Sequence, residues 1–183
     1  MLLKKIIKNL SIDTKKINIE GLSLDSRKIK KNYLFFAIKG TKHNGRDYIF
    51  SAIKKGAGAV VCEVNCKIKN IKTPIIRVKN IKKTIAEACK EFYKEKPKNI
   101  IAVTGTNGKS SVGEFYYQIL SAQKIPVASI GTLGIKINNK VIRTNLTTLD
   151  TISLHRELAK IKMLGIDNVI LEASSHGLEQ GRL

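Results

Sequence analysis

The chain has 183 residues, 34 basic side chains against 14 acidic ones, a formal charge of +20 and 43% apolar content. One or two compact domains fit that length, and the apolar share excludes a disordered polyelectrolyte. Its apolar runs, such as Leu34 to Ile38 and Ala57 to Cys62, fall far below the ~18 residues of a membrane span.

The opening Met1 to Lys8 has lysines inside its apolar stretch and no small-residue cleavage site. A secretory signal is therefore not expected, and the reading is a cytoplasmic protein without membrane contact. Leu2, Leu3, Ile6, Ile7 and Leu10 have helical spacing. A strand is predicted over Gly21 to Leu24, a turn at Asp25-Ser26-Arg27 and a buried strand from Tyr33 to Ile38. Gly40 to Gly45 reads as a polar loop, and Asp47 to Lys55 as a short helix that Gly56 closes. Ala59 to Glu63 and Pro74 to Val78 read as strands. Lys82 to Lys94 reads as a helix with Ile85, Ala88, Cys89 and Phe92 on one face. Cys62, Cys66 and Cys89 form no C-x-x-C pair. Cys62 and Cys89 lie on apolar segments and read as buried small hydrophobes.

The charged, proline-bearing stretch Lys94-Glu95-Lys96-Pro97-Lys98 is the predicted linker, dividing the chain into residues 1–97 and 98–183. Beyond it, Ile100 to Val103 reads as a buried strand, Lys109 to about Gln123 as a helix and Val127 to Ile130 as a strand. Ile135 to Ile142 follows as a hairpin around Asn138-Asn139, then a helix from Ile152 to Leu164 and a strand from Asn168 to Glu172. This alternation predicts a parallel sheet with crossover helices. Three strands make only half such a sheet, leaving an edge that something has to cover.

Residues 1–98 hold 25 basic and 8 acidic side chains, whereas residues 99–183 hold 9 and 6. A basic half suggests a polyanionic partner. Yet 28 of the cations are Lys, only 6 are Arg, and Trp is absent. Base readout relies on Arg forks and stacked aromatics, so the excess reads as a solvated Lys-rich surface and no nucleic-acid partner is expected.

The strongest chemical signal is Ile101-Ala102-Val103-Thr104-Gly105-Thr106-Asn107-Gly108-Lys109-Ser110-Ser111. An apolar strand enters a loop with two glycines, and Lys-Ser opens a helix. Glycines let backbone N–H groups turn inward around an anion, and the helix N-terminus adds partial positive charge. Lys109 would reach the terminal phosphates of ATP and the Ser110 hydroxyl would ligate Mg2+. Val103 stands where the general phosphate-loop pattern has its first Gly, so this is a shortened form. Two polar clusters follow. Thr147-Thr148-Leu149-Asp150 precedes a helical pattern, where Asp150 or Thr151 would serve as N-cap. Glu172-Ala173-Ser174-Ser175-His176 ends a buried strand. In open parallel sheets that end binds ligands, and Glu172 there would share the Mg2+ of Ser110. No nucleophile elbow surrounds Ser174 or His176, so a Ser–His hydrolase is disfavoured.

Together these residues resemble the Mur ligases, ATP-dependent amide-forming enzymes of peptidoglycan precursor synthesis, over essentially the whole chain. The resemblance rests on Leu24-Asp25-Ser26-Arg27, Leu34-Phe35-Phe36-Ala37 and Gly40 to Arg46 in the first half. In the second half it rests on the phosphate loop, the Thr-Thr-x-Asp cluster and Glu172 to Arg182. It implies an α/β chain: a small N-terminal uridine-binding domain (1–97), then an incomplete P-loop-type parallel-sheet ATPase domain (98–183), with a C-terminal domain absent. By the same resemblance Gly105, Thr106, Asn107, Gly108, Lys109, Ser110 and Ser111 hold ATP, and Ser110 with Glu172 holds Mg2+. Leu24, Ser26, Thr41, Lys42 and His43 hold the UDP part of the substrate. Thr147, Thr148, Ser174, Gln180 and Arg182 hold its muramoyl-dipeptide part. Lys109 and Glu172 are the implied catalytic residues. Leu146 and Leu149 depart from the Asn and Pro that relatives carry there. The implied reaction joins a diamino acid to UDP-N-acetylmuramoyl-L-Ala-D-Glu through an acyl phosphate, in a monomer that, as a truncated form, turns over poorly. The alternatives are a non-catalytic nucleotide- or UDP-sugar-binding remnant and a basic nucleic-acid-binding NTPase.

Overall fold

Alternating β-branched runs and amphipathic helices resolve into two units, Met1–Phe92 and Tyr93–Leu183. The computed structural model describes residues 1–183 except 9, 11–12, 41–42, 69–71, 139, 144–146 and 183, and at 13 and 15 the backbone alone.

In the first unit α1 (Leu3–Ile6) is followed by β1 (Gly21–Ser23), β2 (Tyr33–Phe36), α2 (Ile49–Lys54), β3 (Ala57–Glu63), β4 (Ile75–Val78) and α3 (Ile81–Phe92). The described strands form one sheet in the order β1-β2-β3-β4, parallel throughout. Leu34, Phe35 and Phe36 of β2 and Ala59 to Cys62 of β3 are fully buried. Continuous apolar runs of this kind are what a parallel sheet covered on both faces requires. Helix α3 buries Ile81, Ile85, Ala88 and Cys89, a stripe at helical spacing, and Asn80 accepts a hydrogen bond from the Lys83 N–H at 2.9 Å. Helix α1 is shorter than the Leu2 to Leu10 spacing predicts. Ile7 is already extended and no side chain caps the start, while Leu2 bridges to Asn18 and the Leu3 N–H donates to the Ile17 carbonyl at 2.8 Å. Two adjacent β-branched residues, Ile6 and Ile7, favour that early exit. All three cysteines are buried and none is in a disulfide. Burial and the neighbouring Cys66 push the Cys62 thiol up to about 12.

The second unit runs β5 (Asn99–Val103), α4 (Lys109–Ala122), β6 (Val127–Gly131), β7 (Gly134–Ile137), β8 (Lys140–Ile142), α5 (Thr151–Met163), β9 (Asn168–Glu172) and α6 (Ser175–Glu179). Its described strands lie in the order β5-β9-β6-β7-β8. β9 is parallel to β5 and β6, and the β6-β7 and β7-β8 pairs are antiparallel. The predicted half sheet of three strands is thus enlarged to five, because the hairpin joins the sheet instead of standing apart. Asn138, at its turn, has φ 47°; Asn139 lies outside the described residues. Ala128, Ile130, Val169 and Leu171 pack with Leu154, Leu158 and Ile161 of α5. Side chains alternate along a strand, so Ser129, which faces Gly113 of α4, marks the opposite face. Asp150 caps α5, accepting from the Ser153 N–H at 3.0 Å.

One expectation is overturned. Ile100 to Val103 was predicted as a buried strand, but Ile100 and Ile101 are 38% and 40% exposed. Among the described strands β5 pairs only with β9, and α4 lies chiefly over β6 and β9. Among the described residues no helix is long and apolar enough to cross a membrane.

Candidate phosphate-loop site and a cavity in the first unit

The order β5-β9-β6 decides the second unit's site. All three strands run the same way, so their carboxyl ends meet at one rim. Val103, the last residue of β5, lies opposite Glu172, the last of β9, and on the other side Gly131 ends β6 with Thr132 just after it.

From β5 the chain enters the loop 104–108 and then α4. Gly105 (φ 147°) and Gly108 (φ 79°) both adopt the left-handed half of backbone space, which side-chain-bearing residues avoid. Gly108 is the N-cap of α4 and no side chain caps that end, so the N–H groups of the first turn remain available to an anion. A Cβ at Gly108 would meet nothing within 4 Å; its glycine serves the backbone turn and leaves open space beside the loop. Lys109 folds back across the loop, its Nζ donating to the Gly105 carbonyl at 2.6 Å and the Thr106 carbonyl at 3.3 Å. Ser110 Oγ donates to Glu172 Oε2 at 3.0 Å.

Glu172 is 94% withdrawn from solvent, with 6% exposed. Its carboxylate accepts from the Thr132 N–H through Oε1 (3.1 Å) and from the Thr132 hydroxyl through Oε2 (3.0 Å). A cavity of about 350 Å³ opens over the loop, lined by Thr106 to Ser111, Thr132, Thr147, Glu172 and Ser174. The chain's hydroxyl and carboxylate donors here are hard oxygens, the chemistry that Mg2+ prefers. Ser110 and Glu172 therefore fit a Mg2+-assisted phosphate site, with an anion seat beside it.

Thr148 and Ser174 brace the rim. The Thr148 hydroxyl donates to the Glu172 carbonyl (3.1 Å), lies 2.9 Å from Ser174 Oγ and accepts from the Ser174 N–H (3.0 Å). Ser174 Oγ in turn caps α6, accepting from Gly177 N–H. Arg182 donates to the Thr148 carbonyl at 2.9 Å and also binds Gln180, so Thr148, Ser174, Gln180 and Arg182 form one connected set. Thr147 joins through Thr132, with 3.1 Å between the hydroxyl oxygens. Leu146 lies outside the described residues. A smaller cavity of about 200 Å³ adjoins Ser110 and Glu172 and reaches Glu114, Ser129 and Lys136. There Lys136 pairs with Glu114 at 2.6 Å and sits 4.3 Å from the Tyr117 ring centroid, and the ammonium holds the Glu114 carboxyl below the usual range.

The first unit has a cavity of about 400 Å³ lined by Leu24, Asp25, Ser26, Arg27, Phe35, Ile38, Gly40, His43, Gly45 and Tyr48. Asp25 accepts from the Arg27 N–H at 2.9 Å and holds the guanidinium through both oxygens, which keeps its carboxyl below the ordinary range. Gly45 is needed because a Cβ there would fall 2.5 Å from the Ile38 carbonyl oxygen. That close approach brings Tyr48 and His43 edge to face, 6.2 Å between centroids. Leu24, Ser26 and His43 thus share one cavity, whereas Thr41 and Lys42 lie outside the described residues. Sequence reading quoted Arg27 within its motif without assigning it to the site, and missed Tyr48, Gly131 and Thr132. For Gly131-Thr132 a partial signal was available: they sit at the carboxyl end of a strand parallel to β9, although their contacts with Glu172 depend on strand order.

The family profile described as "Mur ligase family, catalytic domain" matches residues 18–93, and that described as "Mur ligase middle domain" matches residues 103–183. The chain belongs to the Mur ligase family. It is 45% identical over 172 residues to the UDP-N-acetylmuramoyl-L-alanyl-D-glutamate–2,6-diaminopimelate ligase of Rickettsia bellii, covering 92% of this chain and 35% of that protein. A solved structure of a ligase of the same name superposes with TM-score 0.84 at 32% identity, covering 100% of this chain and 38% of the other. MurF ligase from Thermotoga maritima, solved with ADP, shares the fold at TM-score 0.55 and 22% identity, over 85% of this chain and 32% of its own. The chain spans about a third of the length of the curated relatives it matches.

Proposed function

We infer that this chain carries two substrate-binding parts of an ATP-dependent amide ligase that adds a diamino acid to UDP-N-acetylmuramoyl-L-Ala-D-Glu. In this reading residues 1–97 hold the uridine diphosphate end and residues 98–183 hold ATP and the acceptor peptide. The observation that carries it is the Ser110–Glu172 contact of 3.0 Å beside a glycine loop that opens a 14-residue helix. The Rickettsia bellii relative and the 32%-identical solved structure carry the same ligase name.

The chemistry follows from charge. The γ-phosphoryl group of ATP passes to the terminal carboxylate of the acceptor: a carboxylate oxygen bonds to phosphorus, the β–γ bridging bond breaks, and ADP leaves. The amine of the diamino acid then attacks the acyl carbon, and phosphate departs with the amide formed. Both reactants of the first step are anions, so catalysis depends on positioning and neutralisation. The Lys109 ammonium, now resting on two loop carbonyls, is placed to swing onto phosphate oxygens without crossing the site. The first-turn N–H groups of α4 fix the same oxygens. Ser110 and Glu172 are the residues that would hold Mg2+, which when bound supplies Lewis-acid neutralisation of the phosphates.

Isothermal calorimetry with a non-hydrolysable ATP analogue and Mg2+ tests this reading on the 183-residue chain. Saturable binding is expected, weakened about tenfold or more in Lys109→Ala through loss of a charge-assisted contact. Equal affinity in both proteins removes the basis for the nucleotide assignment. In parallel, UDP-muramoyl-dipeptide binding is expected to weaken in Ser26→Ala, whose side chain is buried at the first cavity.

A further inference from the structure

We propose that Thr132 is a positioning residue for the Glu172 carboxylate, and that Gly131 leaves the space in which that carboxylate is held. The inference rests on the nucleotide reading above and adds two residues to it.

Thr132 contacts both oxygens of Glu172: its N–H reaches Oε1 at 3.1 Å and its hydroxyl reaches Oε2 at 3.0 Å. Two donors from one residue fix the carboxylate plane as well as its position. The Thr132 hydroxyl also lies 3.1 Å from Thr147 Oγ1. One hydroxyl carries one proton, and an ionised carboxylate only accepts. The Thr132 hydroxyl is the donor toward both Glu172 Oε2 and Thr147 Oγ1, and the charged carboxylate is the stronger acceptor of the two. Thr132 thus lies between Thr147 and the carboxylate beside Ser110. Gly131 completes the arrangement, because a Cβ there would fall 2.1 Å from Glu172 Oε1. Its φ is not left-handed, so backbone conformation does not require glycine at this place; the carboxylate does.

The test is calorimetric titration of the non-hydrolysable ATP analogue into the wild-type chain, T132V, T132S and G131A, each with Mg2+ and with EDTA. Valine keeps the shape and the N–H of Thr132 and removes only the hydroxyl. The wild type is expected to gain affinity on adding Mg2+. T132V is expected to lose about tenfold of that gain, the scale of one hydrogen bond to a charged group, and to lose less affinity in EDTA than in Mg2+. T132S is expected to restore the gain, and G131A to lose it with the Thr132 hydroxyl intact. A merely structural role would lower affinity equally with and without Mg2+, and that result overturns the proposal. So does a T132V protein with the full Mg2+ gain. If circular dichroism shows T132V unfolded, G131A decides: retention of the gain overturns the proposal and its selective loss supports it. A wild type with no Mg2+-dependent gain overturns the nucleotide reading, and the positioning role with it.

Discussion

Strands β5 and β9 lie side by side, run parallel and place Ile101 opposite Ile170. The same residue type in the same register meets two environments: Ile170 is 2% exposed and Ile101 is 40% exposed. Composition does not separate them, since Asn-Ile-Ile-Ala-Val and Asn-Val-Ile-Leu-Glu are both apolar runs led by Asn. Layering does. β9 has a paired strand on each side and helices over both faces, whereas β5 ends the described sheet and α4 passes chiefly over its neighbours. The site exploits the contrast. The exposed strand feeds the loop that opens to solvent, and the buried one delivers Glu172 to a rim where several donors hold it.

The contrast can be broken by truncation. Ile170→Ala is expected to destabilise the second unit by about 2–5 kcal/mol, the range for deleting a buried isoleucine side chain and leaving a cavity. Ile101→Ala is expected to cost less, about 1–2 kcal/mol, because 40% of its surface already faces water. Urea denaturation of both variants gives the comparison, and equal losses would mean that β5 is covered in solution. Thermal melts of Lys109→Ala sharpen it from the other side. Among the described residues that side chain bonds only to loop carbonyls, so the variant's melting temperature is expected to stay near wild type while nucleotide affinity falls.

The readable parts were local. The phosphate loop was legible because its mechanics sit in eight consecutive residues: two glycines with positive φ, a lysine, and a serine at a helix start. The Asp150 cap and the α3 stripe were legible for the same reason. Strand order was not, because nothing within Ile100 to Val103 says how many neighbours it will have. The Gly131 and Thr132 contacts were hidden likewise, since they arise only when β9 inserts between β5 and β6, after the hairpin, a loop and helix α5 (residues 132–167) have been threaded. In the first unit Leu24, Ser26 and Arg27 lie in one short motif, but Tyr48 reaches the same cavity from a separate segment that no spacing reveals.

The smallest expected effect concerns α5, the helix packed against Val169 and Leu171 of β9. His155 lies on α5, next to Leu154 of the core, and burial, with the Lys96 charge as a second cause, lowers its pKa from the ordinary 6.5. The folded protein therefore binds fewer protons at His155 than the unfolded chain does below that value. The stabilisation from a neutral His155 is fully present above about 6.5 and declines as pH falls from there towards the lowered folded pKa. Glu114 and Asp167 are lowered too, below 4.5 and 3.8, by Lys136 and Lys162, so their contributions fade only in more acid solution. Between pH 7 and 5 the histidine is thus separable from both carboxylates. His155→Leu is expected to flatten the decline of melting temperature across that window, by a degree or two at most, and to leave the fall below pH 4 intact. A variant whose melting temperature drops as steeply as wild type between pH 7 and 5 would show that α5 does not shield this position, and that the cover over β9 ends short of His155.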